Sequence, residues 1–148
     1  MITNKVEYLL RILLDMSENA TEGYISSKDI AERQGIPPKY MPQLMALLTG
    51  KGWATSARGA RGGVKLAVDP GDINVYDVIA AAGEPLLIKP CLEGKFQCSL
   101  KELCPLLPVW HEAQQKLDLV MRQTTLASLK KNMEDVNAKA PESMSRNQ

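Results

Sequence analysis

The clearest indication of architecture lies in residues 26–52, which read SSKDIAERQGIPPKYMPQLMALLTGKG. Ser26 is followed three residues on by an acid, which is a capping-box pattern at the start of a predicted helix Lys28–Gln34. Gly35 ends that helix, and Pro38 suits the first position of a second helix. Two helices joined by a tight turn that contains glycine indicate a helix-turn-helix.

The residues that follow the second helix predict a small β-hairpin. Trp53–Ser56 and Val64–Val68 each have the length and composition of a short strand, and Arg58–Gly63 joins them as a glycine-rich loop. Pro70 and Gly71 end this unit. A basic hairpin loop after a helix-turn-helix is the pattern expected of the wing of a DNA-reading domain.

Apolar periodicity predicts helices on both sides of this winged unit. Apolar residues recur at helical spacing in residues 4–17, and Asn74–Ala82, Pro108–Gln123 and Leu126–Met133 have helical patterns after the hairpin. Residues 86–105 have no periodicity and are predicted to be irregular. The expected fold class is mainly α with a small β-hairpin, in which a winged helix-turn-helix domain precedes a long C-terminal helix.

Composition argues against a membrane protein and favours the cytoplasm. The 148 residues are 45% hydrophobic and 24% charged, which is ordinary for a globular chain of one domain. No stretch approaches the roughly 20 apolar residues of a membrane span, and no apolar run follows a basic start as in a signal peptide. In the cytoplasm, an odd number of cysteines predicts metal ligands or redox thiols rather than disulfides.

Basic residues are concentrated where a helix-turn-helix meets nucleic acid. The net charge is only +1, but residues 51–65 contain basic side chains and no acid. A recognition helix presents its first residues to base edges, helix N-termini bind phosphates, and arginines suit a narrow minor groove. The candidate DNA-binding residues are Ser27, Lys28, Lys39, Tyr40, Gln43, Arg58, Gly59, Arg61 and Lys65. A protein-docking module with a solvated basic loop is the alternative.

Three cysteines, Cys91, Cys98 and Cys104, follow the winged unit with the spacing C-x6-C-x5-C. Structural zinc sites use tighter pairs, whereas wide spacing in an irregular segment suits an iron–sulfur cluster. Glu7 and the only histidine, His111, are candidates for a fourth ligand. Ordinary cysteines in a loop and a zinc site that uses His111 are the alternatives. The lack of a C-x-x-C pair argues against a thiol–disulfide enzyme.

Taken together, these residues resemble the family of winged-helix regulators that includes IscR, NsrR, RirA and CymR. The stretches that carry the resemblance are Lys28–Ile36, Tyr40–Leu44, Arg58–Leu66, the three cysteines, Trp110–Gln114 and Thr124–Leu129. The resemblance covers roughly residues 1–133, and the wing motif combined with the cysteine triplet is its specific part.

The resemblance implies a homodimer on double-stranded DNA. Two long helices would cross, and each winged domain would meet half of a palindromic operator. The implied division of the chain is a winged helix-turn-helix DNA-binding domain (1–83), a cysteine-bearing cluster loop (84–106), dimerisation helices (107–133) and a flexible tail (134–148).

The resemblance also implies an iron–sulfur cluster held by the three cysteines and one further ligand. IscR-like members supply a histidine three residues after the last cysteine, where this chain has Leu107. NsrR-like members supply an acid from the partner's first helix, just before an aromatic residue, and Glu7-Tyr8 matches that pattern. The predicted ligands are Cys91, Cys98, Cys104 and Glu7 of the partner subunit, with His111 as the alternative. The pattern favours [4Fe–4S] over [2Fe–2S].

The expected function is that of a DNA-binding transcriptional repressor switched by a cluster that senses nitric oxide, redox state or iron. A cluster-free regulator of the same fold, controlled by thiol oxidation or a partner protein, is the alternative. An enzyme is disfavoured because the sequence offers no nucleophile–base pair and no phosphate-binding loop. Pro42 replaces the acid that IscR-like members carry before their glutamine, so their site preference is not expected here.

Overall fold

The computed structural model describes residues 2–20 and 23–139 and confirms a mainly α-helical chain with a small antiparallel sheet. In chain order the elements are α1 (Asn4–Glu18), α2 (Ser27–Gln34), α3 (Met41–Gly50), β1 (Ala54–Ala57), β2 (Gly63–Leu66), α4 (Val75–Ala81), α5 (Leu107–Gln123) and α6 (Leu126–Lys139). Short 3-10 turns cover Pro38–Tyr40, Pro70–Asp72, Pro90–Leu92 and Lys101–Leu103.

Helix α1 is the element on which most of the other helices pack, because one of its faces is mostly apolar. Val6, Leu9, Ile12, Leu13 and Met16 are each at most 1% exposed. The helix contacts α2, α3, β2, α4 and α6. Full burial of one such side chain contributes about 1.5–3 kcal/mol, so this face provides much of the driving force for folding.

The predicted helix-turn-helix is present, with one correction at its second helix. Helix α2 ends at Gly35, whose φ of 63° lies in the left-handed region, as predicted for a glycine cap. The second helix does not start at Pro38, because the 3-10 turn Pro38–Tyr40 comes first. Pro42 has no N–H to bond the carbonyl of Pro38, and the Met41 N–H takes that carbonyl instead.

The predicted hairpin is also present, and its wing is shaped by glycine. Strands β1 and β2 pair in antiparallel register from Ala54 opposite Leu66 to Ala57 opposite Gly63. Gly63 has a φ of 145°, and a Cβ there would clash with the backbone of Ile25. Ile25 and Val64 exchange two backbone hydrogen bonds of 2.8 Å, which join the hairpin to the segment before α2.

The C-terminal helices differ in how they are packed. Leu126 of α6 is fully buried, and its N–H bonds the carbonyl of Ile73, whereas no residue of α5 is buried. Helix α6 continues through Lys139, beyond the predicted end at Met133 and into the predicted tail. Residues 134–139 contain no glycine or proline, so nothing local ends the helix there. The rest of the predicted tail, residues 140–148, lies outside the described residues.

Candidate nucleic-acid interface and cysteine segment

The residues predicted to bind DNA lie in three places around the helix-turn-helix. Two of them begin α2, three lie in the 3-10 turn Pro38–Tyr40 or the first turn of α3, and four belong to the wing. One cleft is lined by Ser27 and Lys28 of the first place, by Pro38 and Pro42, which neighbour the second, and by Val64, which precedes Lys65. The residues are Ser27, which is half-buried, and the exposed Lys28, Lys39, Tyr40, Gln43, Arg58, Gly59, Arg61 and Lys65.

The wing cations are free to meet an anion. Within residues 2–20 and 23–139, the side chains of Arg58, Arg61 and Lys65 form no ion pair. No acid lies between Lys51 and Lys65 to neutralise them. A set of exposed, unpaired cations attracts the phosphate groups of nucleic acid.

Tyr40 connects the recognition helix to α1, which sequence reasoning did not anticipate. Its ring lies 6.0 Å, centroid to centroid, from the ring of Tyr8, and the Nζ of Lys39 lies 5.0 Å from its centroid. Tyr8 and Tyr40 also line a cavity of about 440 Å³ that reaches Gln43 and Glu84. The start of the recognition helix is therefore packed against the N-terminal turns of α1, one residue from Glu7.

A buried carboxylate holds α2 against α1. Asp15 is 1% exposed, and it accepts hydrogen bonds from Arg33 Nε and Nη2 at 3.0 and 2.6 Å and from Gln34 Nε2 at 2.9 Å. Sequence reasoning missed this residue, although an acid within the apolar run Leu13–Met16 was a signal that it needed a partner. The pair positions the first helix of the helix-turn-helix.

The cysteines lie in a segment of turns between α4 and α5. Cys91 belongs to the turn Pro90–Leu92 and is half-buried, Cys98 is exposed, and Cys104 is half-buried after the turn Lys101–Leu103. All three are free thiols. Across the described residues, no group of three or more histidine, cysteine or acidic side chains is gathered closely enough to hold a metal ion.

The two candidate fourth ligands occupy different surroundings. Glu7 is exposed on α1, with 49% of its side chain accessible, and forms an i,i+4 ion pair with Arg11. His111 is exposed on α5 and lines a cavity of about 540 Å³ beside Leu92 and Glu93 of the cysteine segment. Within the single chain, neither side chain forms a ligand set with the thiols.

Gln114 of α5 anchors the beginning of the cysteine segment. Its Oε1 accepts the Ile88 N–H at 2.9 Å, and its Nε2 donates to the Leu86 carbonyl at 2.6 Å and to Asp118 at 2.8 Å. One amide thus satisfies two backbone groups that have no regular secondary structure. The sequence gives no sign of this role, because Gln114 is an ordinary polar residue on a helix.

Known proteins resemble the chain over almost its whole length. The Rrf2 family, described as "Iron-dependent Transcriptional regulator", matches residues 2–132. "Protein rrf2" of Nitratidesulfovibrio vulgaris is 37% identical over 128 residues, which are 86% of this chain and 85% of that protein. The structure of T. potens IscR superposes with a TM-score of 0.72 at 33% identity and covers 98% of this chain and 96% of its own.

A third similar protein is CymR, the global cysteine regulator of B. subtilis. Its structure has a TM-score of 0.69 at 26% identity, with 89% of this chain and 97% of its own covered.

No helix among the described residues is long and apolar enough to cross a bilayer. The relatives are transcriptional regulators and not enzymes. The chain therefore belongs to the Rrf2 family of transcriptional regulators, and its winged helix-turn-helix is the family fold.

Proposed function

We propose that this protein is a cytoplasmic, homodimeric repressor whose affinity for a palindromic operator is switched by an iron–sulfur cluster that senses nitric oxide, redox state or iron. One observation carries the proposal. Three free thiols lie in an irregular segment between the DNA-binding unit and α5, a helix with no buried residue. A ligand-bearing segment placed there links a chemical signal to the distance between two recognition helices.

The exposed residues around the helix-turn-helix supply the DNA contacts in this proposal. Ser27 and Lys28 at the start of α2 hold a phosphate, and Gln43 in the first turn of α3 bonds an adenine edge. The wing places Arg58 and Arg61 in the minor groove, where their unpaired charges find the strongest negative potential. Contacts to the DNA phosphates orient the protein on the duplex. In this proposal they come from Lys39, Tyr40, Gly59 and Lys65.

The apolar side chains of α5 support the homodimer. Val109, Leu119 and Val120 are more than half exposed on a helix that has no fully buried residue. A second copy of α5 would cover them, since isologous contacts between identical helices close into a two-fold dimer. Two-fold symmetry places one winged domain on each half of a palindromic site.

The donor types of the cysteine segment fit an iron–sulfur cluster. Thiolates are the ligands such clusters use, and Cys91, Cys98 and Cys104 are free, half-buried or exposed thiols. The segment has to rearrange for the three thiolates to meet, because they are not gathered in the isolated chain. Glu7 of the partner subunit is the proposed fourth ligand, and His111 is the alternative. The cluster, [4Fe–4S] rather than [2Fe–2S], would supply redox chemistry and reactivity toward nitric oxide.

In this proposal, the cluster changes DNA affinity because its ligands would connect the two subunits. Glu7 is free to change partners because an exposed i,i+4 pair such as Glu7–Arg11 is worth only about 0.3–0.5 kcal/mol. Ligation by Glu7 of the partner subunit would tie the segment of one chain to α1 of the other and fix the spacing of the two α3 helices. A coupling of about 1–3 kcal/mol would change DNA affinity roughly 5–150-fold.

The proposal is tested by native mass spectrometry and iron and sulfide analysis of protein purified without oxygen. We expect a dimer with one discrete iron–sulfide mass per subunit. Glu7→Ala should lose the cluster faster than the wild type, whereas Glu18→Ala, an exposed acid at the other end of α1, should not. Unchanged cluster retention in Glu7→Ala would remove Glu7 from the site, and a bare, colourless dimer would overturn the cluster.

A second candidate is a cluster-free regulator controlled by thiol oxidation or by a partner protein. Two observations favour it: the thiols are not pre-assembled as ligands, and a Staphylococcus aureus CymR structure of similar fold, 29% identical, is described as an oxidized form. In this candidate, two thiols lose two electrons and two protons to an oxidant and form a disulfide. It predicts DNA binding that a peroxide changes and a dithiol restores, in protein free of iron.

A further inference from the structure

An apolar cleft opens at the junction of α2, the 3-10 turn and α3. It has a volume of about 280 Å³, and Pro38, Met41, Pro42 and Met45 form much of its wall. Ser27 and Lys28, the first residues of α2, lie at its border. The surface predicted to meet a polyanion thus contains an apolar depression, which a purely phosphate-binding surface does not need.

The charges around the cleft favour DNA as its partner. The cleft borders the N-terminal end of α2, where the helix dipole and the ammonium group of Lys28 favour a phosphate. The first turn of α3 contains no acid, so no charge there repels DNA. In the major groove, the apolar group of a base pair is the C5-methyl of thymine.

Pro42 is the exposed proline of this cleft. It lies exposed in the first turn of α3, beside the exposed Gln43. A proline ring offers neither donor nor charge, so it recognises a base edge only by apolar contact. Its ring is rigid and loses no rotamer entropy on binding.

We infer that Pro42 and the cleft it borders read the C5-methyl group of a thymine next to the adenine bonded by Gln43. The inference rests on the proposed DNA interface and deepens it, since it assigns a base preference to that surface. Removal of one buried methyl group weakens binding about three- to fivefold per contact.

The test uses DNA that differs by single methyl groups. A preferred duplex is first selected from a random pool with the dimeric protein, and each thymine of a half-site is then replaced by deoxyuridine. We expect one replacement per half-site to weaken binding by about three- to fivefold. Pro42→Ala should bind the thymine duplex more weakly, but it should no longer distinguish thymine from uracil at that position.

The control variant is Pro85→Ala, the same chemical change at an exposed proline outside the helix-turn-helix, which should keep the uracil sensitivity of the wild type. Equal binding of every uracil duplex by the wild type overturns the methyl contact and indicates that the cleft faces deoxyribose instead. Uracil sensitivity that survives in Pro42→Ala overturns the role of Pro42. A protein that selects no sequence at all overturns the DNA interface itself, so the failures are distinguishable.

Discussion

The winged unit and the region of the cysteine segment with α5 are built in opposite ways. In the winged unit, α1 buries a mostly apolar face, and Asp15, Gly63 and the Ile25–Val64 bridge hold its parts together. In the second region no residue of α5 is buried, and Leu103 beside Cys104 is 85% exposed. The first region buries its apolar side chains within one chain, whereas the second leaves apolar side chains and a thiol exposed.

The largest difference between the regions should be seen in core truncations. Leu13→Ala in α1 should lower the free energy of unfolding by about 2–5 kcal/mol, because it opens a cavity at a fully buried site. Leu103→Ala in the cysteine segment should change it by no more than about 0.5 kcal/mol. Urea unfolding of the cluster-free protein measures both. Similar losses in the two variants would show that the segment is as well packed as α1.

The buried carboxylate gives the next largest effect. Asp15→Ala should lower the free energy of unfolding by about 3 kcal/mol, which is the lower limit of the usual loss when one partner of a buried ion pair is removed. The lower limit applies because the Arg33 side chain is 45% exposed and can be hydrated once its partner is gone. Asp15→Asn, which keeps acceptor and shape, should lose less. Glu18→Ala in the same helix is the matched control, because its side chain is exposed and should be nearly silent in the same urea titration.

Substitutions on the exposed face of α5 should change the dimer dissociation constant rather than the free energy of unfolding. Val120→Glu should raise the dimer dissociation constant about 100-fold, because each subunit loses a buried valine worth about 1.5 kcal/mol at the two-fold interface. Sedimentation over a range of protein concentrations measures it. Val136→Glu makes the same change at an exposed valine of α6, outside the proposed interface, and should leave the dimer intact. A dimer that withstands Val120→Glu would place the interface elsewhere.

The smallest effect is expected at the wing. Arg61→Ala should weaken binding to all duplexes about five- to tenfold, which corresponds to roughly 1 kcal/mol, and should reduce the salt slope of log K by about 1. Lys95→Ala removes an exposed cation from the cysteine segment and should leave the slope unchanged. Fluorescence anisotropy at several salt concentrations compares the two. An unchanged slope in Arg61→Ala would mean that the wing does not touch phosphate.

Local signals explain why so much of the winged unit was predictable. Gly35 ends α2 in the left-handed conformation, and the glycine-rich loop joins two short strands, because both features depend on neighbours in the chain. The same local reasoning failed in two places. Ser26 lies at the N-cap of α2 but makes no capping hydrogen bond, and Pro42 shifts the start of α3 to Met41. At the second of these places, the 3-10 turn Pro38–Tyr40 and the missing N–H of Pro42 set the start of the helix.

The amino-acid sequence alone determined the winged helix-turn-helix and the order of its helices, since turn residues and apolar periodicity act over a few residues. Tertiary structure decided the contacts between distant residues: Tyr8 with Tyr40, Asp15 with Arg33, and Gln114 with the cysteine segment. It also decided that the thiols are not gathered as metal ligands among the described residues and that no residue of α5 is fully buried. Such features depend on how separate helices pack, and no local pattern encodes that arrangement.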